Sequence, residues 1–194
     1  MKFLPLLPLM LLASIVNAQD NSLPFYEISL DPKKFSAGTV AARVIDGLGF
    51  RYYWATDGLR TQDLAFKPSA EARTAEETVA HIYEMSIIIL NATTKTANIP
   101  GQDKPLPFAE MRKVTLNNLW TARTNLLTAT DEQLKEFNFI FKTTTQSVVY
   151  PFWNMINGPI EDCVWHVGQL VSFRRSSGNP FNSKAEMFTG KLGK

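Results

Sequence analysis

A chain of 194 residues with 45% hydrophobic content and four tryptophans has the material for one hydrophobic core and argues against a disordered polypeptide. Its formal net charge of +2 comes from Lys and Arg that are scattered along the sequence, so no basic patch marks a nucleic-acid partner. The single cysteine, Cys163, excludes an intramolecular disulfide and leaves stability to the core and to any bound metal.

The chain opens with Met1-Lys2 and the apolar run Phe3 to Val16, followed by Val16-Asn17-Ala18. This charged start, short apolar middle and small-residue end make a secretory signal peptide, with cleavage expected after Ala18. Pro5 and Pro8 interrupt the run, and no later segment reaches the ~18 consecutive apolar residues of a membrane span. The expected organisation is 1–18 signal peptide, 19–35 N-terminal extension, 36–180 helical bundle and 181–194 C-terminal tail. The expected location is periplasmic or extracellular, with no membrane association after cleavage.

Helical spacing begins at Ser36, where Ala37, Val40, Ala41, Val44, Leu48, Tyr52, Ala55 and Leu59 form the predicted inner stripe of a first helix. Its glycines at 38, 47, 49 and 58 predict either a kink or close contact with a neighbour. A polar loop, Gln62 to Arg73, leads to Thr74-Ala75-Glu76-Glu77, a capping box in which the threonine and the second glutamate each satisfy a free amide. The second helix starts there, with Thr78, His81, Ile82, Met85, Ile88, Ile89 and Ala92 on its buried stripe. Asn91-Ala92-Thr93 is a glycosylation sequon in a cell that glycosylates.

After a Pro- and Gly-containing loop, Ala97 to Pro107, a third helix is expected from Phe108 to Leu127 with Leu116, Leu119, Trp120 and Leu127 inward. Thr130 to Gln133 starts a short turn, and the alternating Phe137, Phe139 and Phe141 with Ser147 to Tyr150 predict a small hairpin within 137–150. Asn157-Gly158-Pro159 reads either as a break with proline restarting a helix or as a kink in a continuous one. The last helix has Ile160, Val164, Val167 and Val171 as its inward stripe, and Gly178 and Pro180 end it. The tryptophans and the phenylalanine trio are assigned to the core, and Arg174-Arg175 to the helix dipole. The fold class is therefore all-α, a four-helix bundle with a hairpin insertion.

On the last helix Asp162, His166, Gln169 and Phe173 share one face, because residues three and four apart stack above one another. With His81 on the inner face of another helix, two imidazoles and a carboxylate can meet in the bundle interior and leave coordination positions open, a donor set for catalytic zinc or non-haem iron. Spacing alone favours hydrogen-bonded core histidines and an Asp162 that serves the helix dipole. Cys163 and Glu161 flank Asp162 as competing third ligands, although helical direction favours Asp162.

The segments Glu76 to Ile82 and Asp162 to Leu170, with Arg174-Arg175-Ser176-Ser177-Gly178-Asn179-Pro180, resemble the DinB-like superfamily of metal-dependent hydrolases and low-molecular-weight thiol transferases. The resemblance spans roughly Ser36 to Pro180. It implies a four-helix bundle that holds a divalent ion through His81 and His166, with Asp162 standing where the family usually has a third histidine. Zinc is the first expectation, with nickel, iron and manganese as alternatives. The implied activity is metal-dependent hydrolysis of a small-molecule substrate, with Glu84 and Gln169, each one turn beyond a ligand, as catalytic candidates. The alternatives are a thiol transferase, which export from a reducing interior disfavours, and a non-catalytic bundle that binds a small molecule or partner. A homodimer is the alternative to a monomer.

Overall fold

The computed structural model describes residues 23–28, 31–101 and 106–194, so the expected signal peptide lies outside the described residues. Four helices make the bundle: α1 (Ala37–Thr56), α3 (Ala75–Thr94), α4 (Phe108–Thr128) and α7 (Glu161–Ser176). α4 packs against both α1 and α3, and α7 closes the ring by touching the same two helices. The short helices α2 (Thr61–Leu64), α5 (Asp131–Glu136) and α6 (Phe152–Met155) lie in the connections. α2 falls inside the segment expected to be a loop.

Local chemistry explains where the helices begin. Glu77 N–H donates to Thr74 Oγ1 at 3.1 Å and Thr74 N–H to Glu77 Oε2 at 2.7 Å, so the predicted capping box starts α3. Ser36 and Thr39 build the same reciprocal arrangement before α1. The α1 glycines act by close contact. A Cβ on Gly38 would lie 2.5 Å from the Leu126 carbonyl oxygen of α4, and one on Gly49 would strike the Phe25 ring at the same distance.

The predicted α1 stripe needs correction. Val40 and Val44 are exposed, Leu59 lies beyond the helix end, and Ile45, Phe50, Tyr53 and Trp54 are fully buried instead. The cause is the segment before the helix: Tyr26 sets its ring against Tyr53 and Trp54, and Trp54 Nε1–H donates to the Tyr26 carbonyl. That cover buries the outer side of the last two turns, which no helical period announces. On α7 the inner row is Cys163, Val167, Leu170 and Arg174, and Val164 is exposed. Only Trp54 of the tryptophans is core, since Trp120, Trp153 and Trp165 are 38%, 74% and 72% exposed.

The predicted hairpin is present as β2 (Phe139–Lys142) and β3 (Ser147–Tyr150), antiparallel, with Phe139 opposite Tyr150. A third strand, β1 (Ala97–Asn98), joins β2 in parallel and was not anticipated. A second small hairpin in the tail pairs β4 (Ala185–Glu186) with β5 (Lys191–Leu192). Asn157-Gly158-Pro159 takes the kinked alternative: a π-helical turn, Ile156–Ile160, joins α6 to α7, and Gly158 at φ −97°, ψ −107° absorbs the bend.

Among the described residues three arginines are buried: Arg112, Arg123 and Arg174. Arg123 Nε donates to Asp46 Oδ1 at 2.9 Å, and burial raises the Asp46 pKa against the lowering pull of this partner. Arg112 donates to Thr56 Oγ1 and the Tyr53 carbonyl. Arg174 reaches the end of α1, where its NH1 donates to the carbonyls of Trp54, Ala55 and Asp57 at 3.1, 3.2 and 2.6 Å. These are the orphan acceptors that every helix leaves at its C-terminus. The helix-dipole assignment for Arg174 is thus corrected: it caps a neighbouring helix. Arg174→Ala should cost about 3 kcal/mol in urea unfolding, because several buried carbonyls lose their donor together.

Asp63 gathers the adjoining segments. It is buried and accepts from Arg60 N–H, Nε and NH2, from Ser177 Oγ and from Asn179 Nδ2. These donors, Arg60 first, hold its carboxyl well below the usual carboxylate range. A depressed folded pKa means stability that is present above the unfolded value of about 3.9 and lost as pH falls through the folded one. Urea midpoints should therefore drop below about pH 4, and the drop should be shallower in Asp63→Asn.

Candidate metal centre

His81 stands in the second turn of α3 on the side toward α7, while Asp162 and His166 stand one turn apart at the start of α7. The contact between these two helices brings the three side chains together. His81 Nε2 lies 2.9 Å from Asp162 Oδ2, and His166 Nε2 lies 3.5 Å from Asp162 Oδ1. The two imidazole rings meet edge to face, centroids 4.7 Å apart at 86°. Among the described residues these three form a group whose ligand atoms all lie within 4.8 Å of one another.

Donor chemistry and spacing fit a divalent cation. Ligand atoms about 2.0–2.1 Å from a tetrahedral zinc stand roughly 3.3 Å apart; one atom from each of the three residues lies within 4.8 Å of the others, so a small closing of the side chains would gather them around one ion. All three side chains are half-buried, so the cluster is held by the bundle and still open to solvent. Three protein ligands leave a fourth position for a water or substrate.

Gln169 sits one turn beyond His166, and its Oε1 lies 2.8 Å from His166 Nδ1. An amide oxygen only accepts, so Nδ1–H is the donor of this contact and Nε2 is the ring nitrogen directed toward Asp162. Gln169 therefore orients the His166 ring. Glu84, one turn beyond His81, is exposed and lines the end of a cleft of about 480 Å³ with Met85, Ile88, Asn98 and Phe141. The far wall of that cleft is β1 against β2, a pairing between segments some forty residues apart with no local sequence signal.

The competing ligands separate cleanly. Cys163 is fully buried in the core row, and burial followed by the nearby Asp162 charge pushes its thiol pKa up. Glu161 is exposed and lies outside the cluster. Asn91 of the sequon donates from Nδ2 to Asn98 Oδ1 at 2.8 Å inside a helix, so the nitrogen that would carry a glycan is already engaged.

No protein-family model matches the chain, and no curated protein matches it. A DinB-like protein from Bacillus subtilis, known from its crystal structure, is similar in fold, with a TM-score of 0.51 over 71% of this chain and 92% of that chain at 17% sequence identity. The chain has a DinB-like fold.

Removing either imidazole leaves the apolar rows of the bundle intact, so His81→Ala and His166→Ala should fold yet lose bound metal. Elemental analysis after zinc loading measures this directly, and their melting temperatures should stop responding to zinc or chelator. Full metal content in both variants would make the histidines ordinary half-buried residues.

Proposed function

We propose that the chain is an exported metal-dependent hydrolase of small molecules, with His81, Asp162 and His166 as the metal ligands. The observation that carries this reading is the convergence of two imidazoles and one carboxylate at an accessible point between α3 and α7. Zinc suits this nitrogen and oxygen set, and nickel, iron or manganese would also be accepted. A divalent ion held there supplies Lewis acidity and makes water acidic enough to lose a proton near neutral pH.

The chain's own residues have separable tasks. Asp162 holds one carboxylate oxygen toward each imidazole and contributes the negative charge of the donor set. Gln169 fixes the His166 ring. Glu84, one turn beyond His81, offers an exposed carboxylate for taking up and returning a proton, and the cleft it lines gives a substrate apolar walls at Met85, Ile88 and Phe141. The export reading rests on Lys2, the apolar run and Val16-Asn17-Ala18.

Restoring the more usual histidine with Asp162→His should keep or raise zinc affinity, because the spacing of four to His166 is unchanged. Asp162→Ala should lose at least ~10-fold, the order seen even when only a ligand's supporting contacts are removed. Competition with a coloured chelator compares the three proteins side by side. The hydrolase reading is checked by assaying the zinc-loaded protein against a panel of small esters and amides. Turnover should vanish on chelation and return with zinc, and Glu84→Gln should lower it with metal content unchanged. Zinc binding without turnover across the panel would leave a metal-binding protein and end the enzyme reading. For export, N-terminal sequencing of fractionated protein should begin at Gln19, and an intact Met1 on a cytosolic product would overturn it.

A further inference from the structure

The opposite flank of α7 carries a second constellation. At about 100° per residue, Val164, Val171 and Arg175 lie across the helix from Asp162 and His166. With Phe181 and Met187 of the tail and Arg51 of α1 they line a cleft of about 350 Å³, in the size range of small-molecule pockets. Val164 is 40% exposed, and above Gly168 an added Cβ would meet nothing within 4 Å, so the floor of the cleft is open. A larger groove of about 720 Å³ shares Arg51, Val164 and Met187 and continues along Val44 and Leu48 of α1 to the fully exposed Phe188, with the Arg43–Asp31 ion pair on its rim.

Charge on this surface has one sign where the first cleft is concerned. Arg51 and Arg175 are its charged lining residues, and among the described residues no carboxylate lines it. Neither arginine belongs to an ion pair among the described residues. Arg51 donates once, from NH1 to the Gly47 carbonyl, and Arg175 lies 6.0 Å over the Phe181 ring, which leaves other guanidinium N–H groups of both unspent. Two unpaired cations beside exposed valine and aromatic surface match a ligand with an anionic head and an apolar tail.

We propose that this cleft binds a free medium-chain organic carboxylate, its head on Arg51 and Arg175 and its chain along Val164, Val171 and Met187 toward Phe188. The site lies on the other side of α7 from the metal ligands, and it stands or falls independently of the hydrolase reading. Charge complementarity selects the carboxylate, and the continuation of the groove past Val164 gives the chain its path.

Isothermal titration of the mature protein with sodium decanoate, held below its micelle concentration, tests this. One equivalent should bind saturably, acetate should not bind measurably, and decyltrimethylammonium should not compete. Arg51→Gln combined with Arg175→Gln should weaken decanoate binding at least ~10-fold and leave zinc content unchanged. Should the double variant fail to fold, Arg175→Gln alone, at an exposed position, carries the comparison and should still weaken binding. Equal affinity in the folded variant, effective competition by the cationic amphiphile, or absence of saturable binding would each overturn the proposal. So would sedimentation as a dimer that decanoate neither binds nor disturbs, since a second copy would then be the occupant of this face.

Discussion

The capping of α1 by Arg174 is the contact on which the rest of the arrangement turns. One side chain from the last turn of α7 satisfies three carbonyls at the end of α1, and its Nε closes onto the Asn179 carbonyl in the segment that follows. This pins the rotation of α7 about its own axis as well as its height along α1. With that rotation set, Cys163, Val167 and Leu170 enter the core, and Asp162 and His166 turn toward α3. The cluster of His81, Asp162 and His166 at one end of α7 thus depends on a hydrogen-bonded cation at the other, some two to three helical turns away.

Asp63 extends the same device. By binding Arg60, Ser177 and Asn179 at once it ties the segment after α1 to the segment after α7. The run Arg174 to Pro180 therefore has a structural explanation, in which its polar side chains are spent on holding two helix ends together. Arg175 is the member of the run with donors to spare, since its guanidinium lies over the Phe181 ring.

Much of this was legible from residue order because the signals were local. Thr74 and Glu77 start α3 as their spacing predicts, Phe108 starts α4, and His81, Asp162 and His166 meet as the shared face and the family resemblance implied. What stayed hidden was long-range. Tyr26 covers a side of α1 that would otherwise face solvent, so the period of apolar residues misidentified its buried face. Nothing in the residue order marks Arg112, Arg123 and Arg174 for burial, because the carbonyls and carboxylate that receive them come from another helix. Trp153 and Trp165 were assigned inward on residue type, yet both stand in solvent on the α6 and α7 side. In the same way Glu84 could be placed one turn from His81, but the cleft it lines needed β1 to pair with β2.

The bend between α6 and α7 decides which way α7 faces. Gly158, at φ −97°, ψ −107°, leaves the helical region, so the two helices do not share one continuous turn. Phe152 and Met155 face the core before the bend. At about 100° per residue an unbroken α-helix from them would carry His166 into line with that pair, where an imidazole would be sealed from solvent and ligand alike. The break releases α7 from that phase: Val167 and its partners take the core row, and His166 stands half-buried at the rim. Gly158 and Pro159 thus decide whether the histidine is a packing residue or a reachable one.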